Sequence, residues 1–172
     1  MTAISPRRPI RTGFISWAHD DASLVTALLH LLKSRLSIRT EYELNVWWDR
    51  QLIVGRPWKG QILDQIDRVA FGLMFVSNAF LASGFIRREE VRPLVADRRA
   101  FPVLLEAVPL ENVTTHGLAE LEIYHWGPYG TFPDRSFAET GGNNRRAFAD
   151  GIVEELIRFL RQVDDEAGRG TL

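Results

Sequence analysis

Short apolar runs alternate along this chain with longer segments in which apolar residues recur at helical spacing. The run FGLMFV at residues 71–76 is continuous rather than alternating, which is typical of a strand that is covered on both faces. Such strands occur in parallel sheets, and parallel neighbours must be joined by crossover connections. The alternation therefore predicts an α/β fold with helices on both faces of a parallel sheet.

Five apolar runs are predicted strands, and helical spacing predicts a helix after each of the first three and another near the C-terminus. In the third helix, Ser83 is a candidate N-cap. Pro93 predicts a kink or an early end, because it offers no N–H to the carbonyl of Glu89. The predicted strands are GFISWA (13–18), LNVWW (44–48), FGLMFV (71–76), FPVLLEAV (101–108) and LEIYHW (121–126).

The length of 172 residues is that of one ordinary domain, which we place at residues 13–163, between a flexible head at 1–12 and a tail at 164–172. A formal charge of −1 does not indicate a nucleic-acid partner. No apolar stretch reaches the roughly 20 residues of a membrane helix, so no membrane partner is expected. The absence of cysteine excludes disulfides and predicts a cytoplasmic protein.

Several sequence motifs for bound cofactors and metals are missing. No G-x-G-x-x-G or G-x-S-x-G occurs, and GRPWKGQ at residues 55–61 lacks the Lys and Ser/Thr of a phosphate-binding loop. The histidines at positions 19, 30, 116 and 125 share no metal-ligand spacing. The sequence therefore predicts neither a metal site nor a bound cofactor.

A ligand site in a parallel sheet of this kind is expected beyond the carboxyl ends of the strands, where the strand order reverses. The loop at residues 49–57 contains Gly55 and ends at Pro57, which suits the first turn of the next helix. The segments expected at this edge are residues 18–20, 49–57 and 77–84, together with those that follow residues 108 and 126.

Four segments in order carry a resemblance to a known family: GFISWAHDD, NVWWDRQLIVGRPWKGQI, FGLMFVSNAFLASGFIRREE and AFPVLLEAV. They match a first strand F-I-S-Y with an acidic loop, a second strand ending in aromatic residues and Asp, and a strand ending in Ser before S-x-W-x-x-x-E. From residue 13 to residue 160, the sequence resembles a TIR domain of the bacterial kind. The resemblance implies a flavodoxin-like fold with a five-stranded parallel sheet.

The resemblance assigns the catalytic role to Glu89. Phe85 stands where the family has Trp, four residues before the acid. In an α-helix the Phe85 ring and the Glu89 carboxylate lie over one patch, whereas Glu90 points about 100 degrees away and is expected to be solvated. The resemblance implies cleavage of NAD+ at the bond between nicotinamide and ribose. Nicotinamide leaves as a neutral molecule, so one carboxylate that stabilises the ribosyl cation is enough. That interaction is worth roughly 4 kcal/mol, or about a thousandfold in rate.

The resemblance places further residues at the substrate, and each also has a structural interpretation. The aromatic candidates would hold the nicotinamide ring or pack in the core. In the structural interpretation, Asp49 caps a loop, Ser83 caps a helix and His19 is a solvated loop residue. Phe85 replaces the usual Trp, which leaves the product open, and Trp17 replaces the usual Tyr and offers no hydroxyl. The substrate-binding candidates are Trp17, His19, Trp47, Asp49, Ser83 and Phe85.

The resemblance implies an NAD+ glycohydrolase or ADP-ribosyl cyclase, an effector of bacterial anti-phage defence. Self-association would activate it, with a separate sensor protein or a fused regulatory domain as the trigger. The alternative is a non-catalytic module that binds other TIR domains, as an adaptor or a mimic of host TIR domains, through the loop at residues 49–57. A third candidate is an unrelated flavodoxin-like nucleotide binder.

Overall fold

The computed structural model describes residues 8–47, 57–84, 86–126 and 135–169, with the side chains of Trp58 and Arg87 excepted. A parallel sheet with the strand order β2-β1-β3-β4 forms its centre. The order reverses between β1 and β3, so the carboxyl ends of these two strands flank the expected ligand position. The strands are β1 (Ile10–Ser16), β2 (Glu43–Trp47), β3 (Phe71–Val76) and β4 (Ala100–Leu104).

Helices cover both faces of the sheet, as the apolar runs predict. The helices are α1 (Ala22–Ser37), α2 (Trp58–Arg68), α3 (Asn78–Ala82), a π-helix (Ile86–Val91), α4 (Arg92–Ala96) and α5 (Asn143–Arg169). Buried residues of α1 and α5 pack on one face, which we call the α1/α5 face. Those of α2, α3, the π-helix and α4 pack on the other, which we call the α2/α4 face. Phe71–Val76 is buried throughout its length, which confirms that both faces of β3 are covered.

In the described part of the chain, the predicted fifth strand is reduced to one parallel bridge to β4, at Tyr124, and one antiparallel bridge between Trp126 and Arg135. The backbone N–H of Tyr124 donates to the carbonyl of Pro102 at 2.9 Å, and that of Leu104 donates to the carbonyl of Tyr124 at 2.8 Å. The Tyr124 hydroxyl donates to the carbonyl of Phe148 in α5 at 2.9 Å. Tyr124 thus anchors the segment to both the sheet edge and α5, and a parallel sheet of four strands replaces the predicted five.

The predicted third helix consists of three consecutive pieces. Ser77 caps α3 by accepting a hydrogen bond from the N–H of Phe80 at 2.9 Å. Ser83 ends α3, and its hydroxyl accepts from the N–H of Ile86 at 3.4 Å, so its predicted capping role applies to the second piece. The interruption predicted from Pro93 takes the form of the π-helix Ile86–Val91, which ends two residues before the proline. Because Pro93 cannot donate to the carbonyl of Glu89, the α-helical hydrogen-bond pattern is broken at this point.

The segments predicted to be a flexible head and a tail each contribute residues to regular structure. Residues 10–12 belong to β1, and α5 continues through the predicted tail to Arg169. Arg11 Nη2 lies 2.8 Å from Asp164 Oδ1, and the Tyr42 hydroxyl donates to Asp164 Oδ2 at 3.0 Å. The ordered elements therefore extend beyond the predicted boundaries at residues 13 and 163.

Asp164→Ala is expected to lower the free energy of unfolding by about 1 kcal/mol, because Arg11 and Tyr42 lose a shared acceptor at a partly exposed site. Burial and the Asp164 hydrogen bond raise the pKa of Tyr42 from 10.0 to about 12. The stabilisation that the protonated Tyr42 hydroxyl provides is present below pH 10 and is lost as the pH rises to about 12. Urea unfolding at pH 7 and between pH 10 and 12 measures both effects. The exposed Asp165→Ala is the matched control, and an equal loss in both variants would contradict the assignment.

Candidate functional site

A buried carboxylate lies at the carboxyl end of β1. Ser16 is the last residue of that strand and is 1% exposed, and its hydroxyl donates a hydrogen bond to Glu90 Oε2. Glu90 itself is 5% exposed and belongs to the π-helix on the α2/α4 face. The prediction that Glu90 is solvated is therefore wrong.

The π-helix explains this error. The prediction assumed α-helical geometry, in which residues four positions apart lie over the same patch. A π-helix forms i→i+5 hydrogen bonds and so accommodates one more residue in each turn. The acid that comes to a given patch is then displaced along the sequence, and Glu90 instead of Glu89 reaches the end of β1. Phe85, from which the α-helical count starts, lies outside the described residues.

Glu89 has a different environment. Its side chain is 26% exposed, and Oε1 lies 3.1 Å from Nζ of Lys59 in α2. Lys59 is half exposed, so this is a surface ion pair that bridges the π-helix and α2. The catalytic role of Glu89 remains a prediction, and the structure shows its carboxylate paired with Lys59.

A second polar cluster links the carboxyl ends of β1, β3 and β4. The Ser77 hydroxyl donates to Asp21 Oδ2 at 2.5 Å. Glu106 Oε2 accepts hydrogen bonds from Asn78 at 3.3 Å for Nδ2 and 3.4 Å for the backbone N–H. Burial raises the pKa of Asp21, the hydrogen bond from Ser77 opposes that shift, and the charge of Glu106 adds to it. These contacts hold the loops around the switch point in fixed positions.

The predicted aromatic residues fall on opposite faces of the sheet. The Trp47 ring stacks on Phe14, with centroids 5.4 Å apart and an interplanar angle of 19°, and packs on the α2/α4 face. Trp17 packs on the α1/α5 face, and its ring lies 5.2 Å from that of the exposed His19. Ser83 accepts a hydrogen bond from the N–H of Ile86 at the start of the π-helix, and Trp47 packs on the same face of the sheet, whereas Trp17 packs on the opposite face beside His19.

Asp49 lies outside the described residues, as does the rest of the loop up to residue 56. Ser16 is not among the predicted site residues, although it lies in the F-I-S segment that carries the family resemblance. The available signal was a hydroxyl at the end of a buried strand, four and five residues before the acids at positions 20 and 21. In isolation this signal does not identify the partner, because Glu90 is 74 residues away along the chain.

A cavity of about 750 Å³ lies elsewhere, between β4, the Tyr124 segment and α5. It contains none of the predicted site residues. Among the described residues, no group of three or more His, Asp or Glu side chains is arranged to hold a metal ion. None of the helices in the described ranges has the length and apolar character needed to cross a membrane.

A family model described as TIR domain matches residues 14–128, which is more than half of the chain. The chain belongs to the TIR domain family. The match includes the end of β1, β2 to β4 and the π-helix, so both Ser16 and Glu90 lie within the matched residues. No curated protein matches the sequence significantly. TIR domains include both signalling and NAD-cleaving members.

Proposed function

We propose that this TIR domain cleaves NAD+ at the nicotinamide–ribose bond, as a glycohydrolase or an ADP-ribosyl cyclase. The observation that carries the proposal is the π-helix, which places the Glu90 carboxylate at the carboxyl end of β1 and contains Glu89 as the adjacent residue. This edge of the sheet is where ligands of doubly wound folds bind.

The chemistry requires a negative group near the ribose. Nicotinamide in NAD+ is a cationic pyridinium and leaves as a neutral molecule, so no acid is needed to protonate it. Positive charge develops on the ribose as the bond breaks, and a fixed carboxylate stabilises that charge. Trp47 is the proposed contact of the nicotinamide ring, because it lies on the same face of the sheet as the π-helix and stacks there on Phe14.

The remaining residues of the proposal follow the family resemblance. Glu89 is the acid that the linear motif assigns, and the neighbouring Glu90 has the buried position described above. Trp17 and His19 would contact the substrate beyond the end of β1. The substrate-binding set is Trp17, His19, Trp47, Asp49, Ser83 and Phe85.

Self-association is the proposed means of activation. The partners in this proposal are NAD+, other copies of the TIR domain, and a separate sensor protein or a fused regulatory domain. The proposed setting is the bacterial cytoplasm, with anti-phage defence as the role. No metal or bound cofactor enters the proposed reaction, because NAD+ is the substrate.

A non-catalytic TIR–TIR interaction module is the second candidate. Glu90 is almost completely buried and hydrogen-bonded to Ser16. A buried, hydrogen-bonded carboxylate of this kind also suits a purely structural role in a binding module. An assay for NAD+ cleavage separates the two functions, because a binding module leaves NAD+ intact.

The test is release of nicotinamide from NAD+ by the full chain clustered on a surface, with products separated by chromatography. The account predicts release, together with ADP-ribose for hydrolysis or a cyclic product for cyclisation. The Glu89→Gln/Glu90→Gln double variant removes both carboxylates of the π-helix and is expected to be inactive. Intact NAD+ after incubation with clustered wild type would contradict the enzymatic proposal.

The same assay at increasing protein density tests activation by self-association. Activity per molecule is expected to rise with density, because each copy would complete the site of a neighbour. An activity per molecule that does not depend on density would contradict this part of the proposal while leaving NAD+ cleavage intact.

A further inference from the structure

Two adjacent carboxylates of the π-helix lie in contrasting environments. Glu89 is partly exposed and forms an ion pair with Lys59, whereas Glu90 is 5% exposed and accepts a hydrogen bond from Ser16 at the end of β1. The linear motif favours the first of these acids. Their positions in the fold favour the second.

We propose that Glu90, and not Glu89, is the catalytic carboxylate, and that Ser16 is the positioning residue that orients it. This inference rests on the proposed NAD+ cleavage. It reassigns the acid that a count along the sequence selects, and it adds a role for the final residue of β1.

The burial of Glu90 supports this assignment. Lys, Glu, Arg and Asp side chains are almost never fully buried unless they are paired, because taking a charge out of water is costly. A fold that keeps a glutamate at 5% exposure beside a serine hydroxyl therefore indicates a use for that charge. Away from bulk water, the carboxylate also interacts more strongly with a cation than an exposed one does.

The position of Glu90 in the fold also supports the assignment. Ser16 ends β1 at the point where the strand order reverses, so a group held by Ser16 lies at the expected ligand position. Glu90 is on the same face of the sheet as Trp47, the aromatic candidate for the nicotinamide ring. Glu89 instead contacts Lys59 of α2, where the cation offsets its charge.

The π-helical geometry of residues 86–91 supports the assignment as well. π-Helical turns are rare, carry one more residue per turn than α-helices and are frequent at functional sites. Here the π-helix Ile86–Val91 contains both acids and directly precedes the segment with Pro93. Its additional residue per turn is what allows Glu90 to reach Ser16.

In the proposed step, the bond between the ribose C1′ and the nicotinamide nitrogen breaks. Its electron pair goes to the nitrogen and neutralises the pyridinium. Glu90 stabilises the positive charge that develops on the ribose. In hydrolysis a water oxygen forms the new bond to C1′, and the water proton passes by way of the Glu90 carboxylate to solvent. In cyclisation a nitrogen of the adenine of the same molecule takes the place of water.

Nicotinamide release by the clustered full chain is the experiment, with Glu90→Gln and Glu89→Gln as a matched pair of variants. Glu90→Gln is expected to lower kcat by about a thousandfold, the effect of removing a close charge interaction. Glu89→Gln is expected to lower kcat far less than Glu90→Gln does, because it removes a partly exposed ion pair with Lys59. Urea unfolding of both variants separates loss of activity from loss of structure.

Ser16→Ala tests the positioning role. We expect kcat to fall about tenfold with KM nearly unchanged, because the carboxylate is retained but is less well oriented. A purely structural serine would change the free energy of unfolding and leave kcat of the folded protein at the wild-type value. If Glu90→Gln does not fold, Glu90→Asp keeps the charge but draws it back by one methylene, and kcat is expected to fall by about a hundredfold.

The possible outcomes are distinct. Loss of activity in folded Glu90→Gln or Glu90→Asp, with activity retained in Glu89→Gln, supports the inference. Loss in Glu89→Gln with activity retained in the Glu90 variants overturns it and leaves NAD+ cleavage in place. An inactive clustered wild type overturns the proposed function, and the inference fails with it.

Discussion

Phe148→Ala is expected to lower the free energy of unfolding by about 3 to 5 kcal/mol, the range for truncating a fully buried aromatic residue. Phe148 is 0% exposed in α5. Its ring makes edge contacts with Tyr124 and Phe137, at centroid distances of 5.1 and 5.5 Å. The substitution therefore leaves a cavity where α5, the Tyr124 segment and the turn at Phe137–Glu139 meet.

Urea unfolding followed by circular dichroism measures this loss. Phe159→Ala is the matched control, because Phe159 lies in the same helix, is only partly buried and makes an edge contact with Phe101 at 5.7 Å. A clearly smaller loss is expected for the control. Equal losses would show that Phe148 is not the centre of this packing.

Leu94→Ala is expected to lower the free energy of unfolding by about 2 to 5 kcal/mol. Leu94 is fully buried in α4 and packs directly on the backbone of Gly72 in β3. A Cβ at Gly72 would lie 2.4 Å from Leu94 Cδ1, so Gly72→Ala is expected to cost about 1 to 3 kcal/mol through overpacking. The pair fixes the distance between α4 and the sheet.

A double-mutant cycle measures the contact between these two residues. In the Leu94→Ala background, Gly72→Ala is expected to be neutral or stabilising, since the clash is gone and glycine is unfavourable within a strand. Urea unfolding of the two single variants and the double variant gives the coupling. Additive losses would contradict the close packing of α4 on β3.

The sheet could be predicted from the sequence because its strands are short apolar runs bounded by turn residues. The continuous run at β3 identified the doubly covered centre, and the alternation with helical segments identified parallel crossovers. The fifth strand could not be predicted in the same way. Residues 121–126 have a strand-like composition, yet Tyr124 divides its contacts between the sheet edge and α5.

The site was only partly predictable. Pro93 correctly indicated an interruption, but the choice between a helix end, a kink and a π-helix depends on packing against β3 and α2, which sequence spacing does not contain. The α-helical count therefore favoured Glu89 and left Glu90 in solvent. The contact between Ser16 and Glu90 joins residues that are far apart in the chain, so it becomes visible only once the strand order brings β1 and the π-helix together.

The most direct test of this account is the ratio of two rates, nicotinamide release by clustered Glu89→Gln divided by that of clustered Glu90→Gln, measured at the same density and with both proteins folded. The account predicts a ratio of roughly a thousand, because only the second variant removes the buried carboxylate at the end of β1. A ratio near or below one would contradict the assignment of Glu90 as the group that drives NAD+ cleavage.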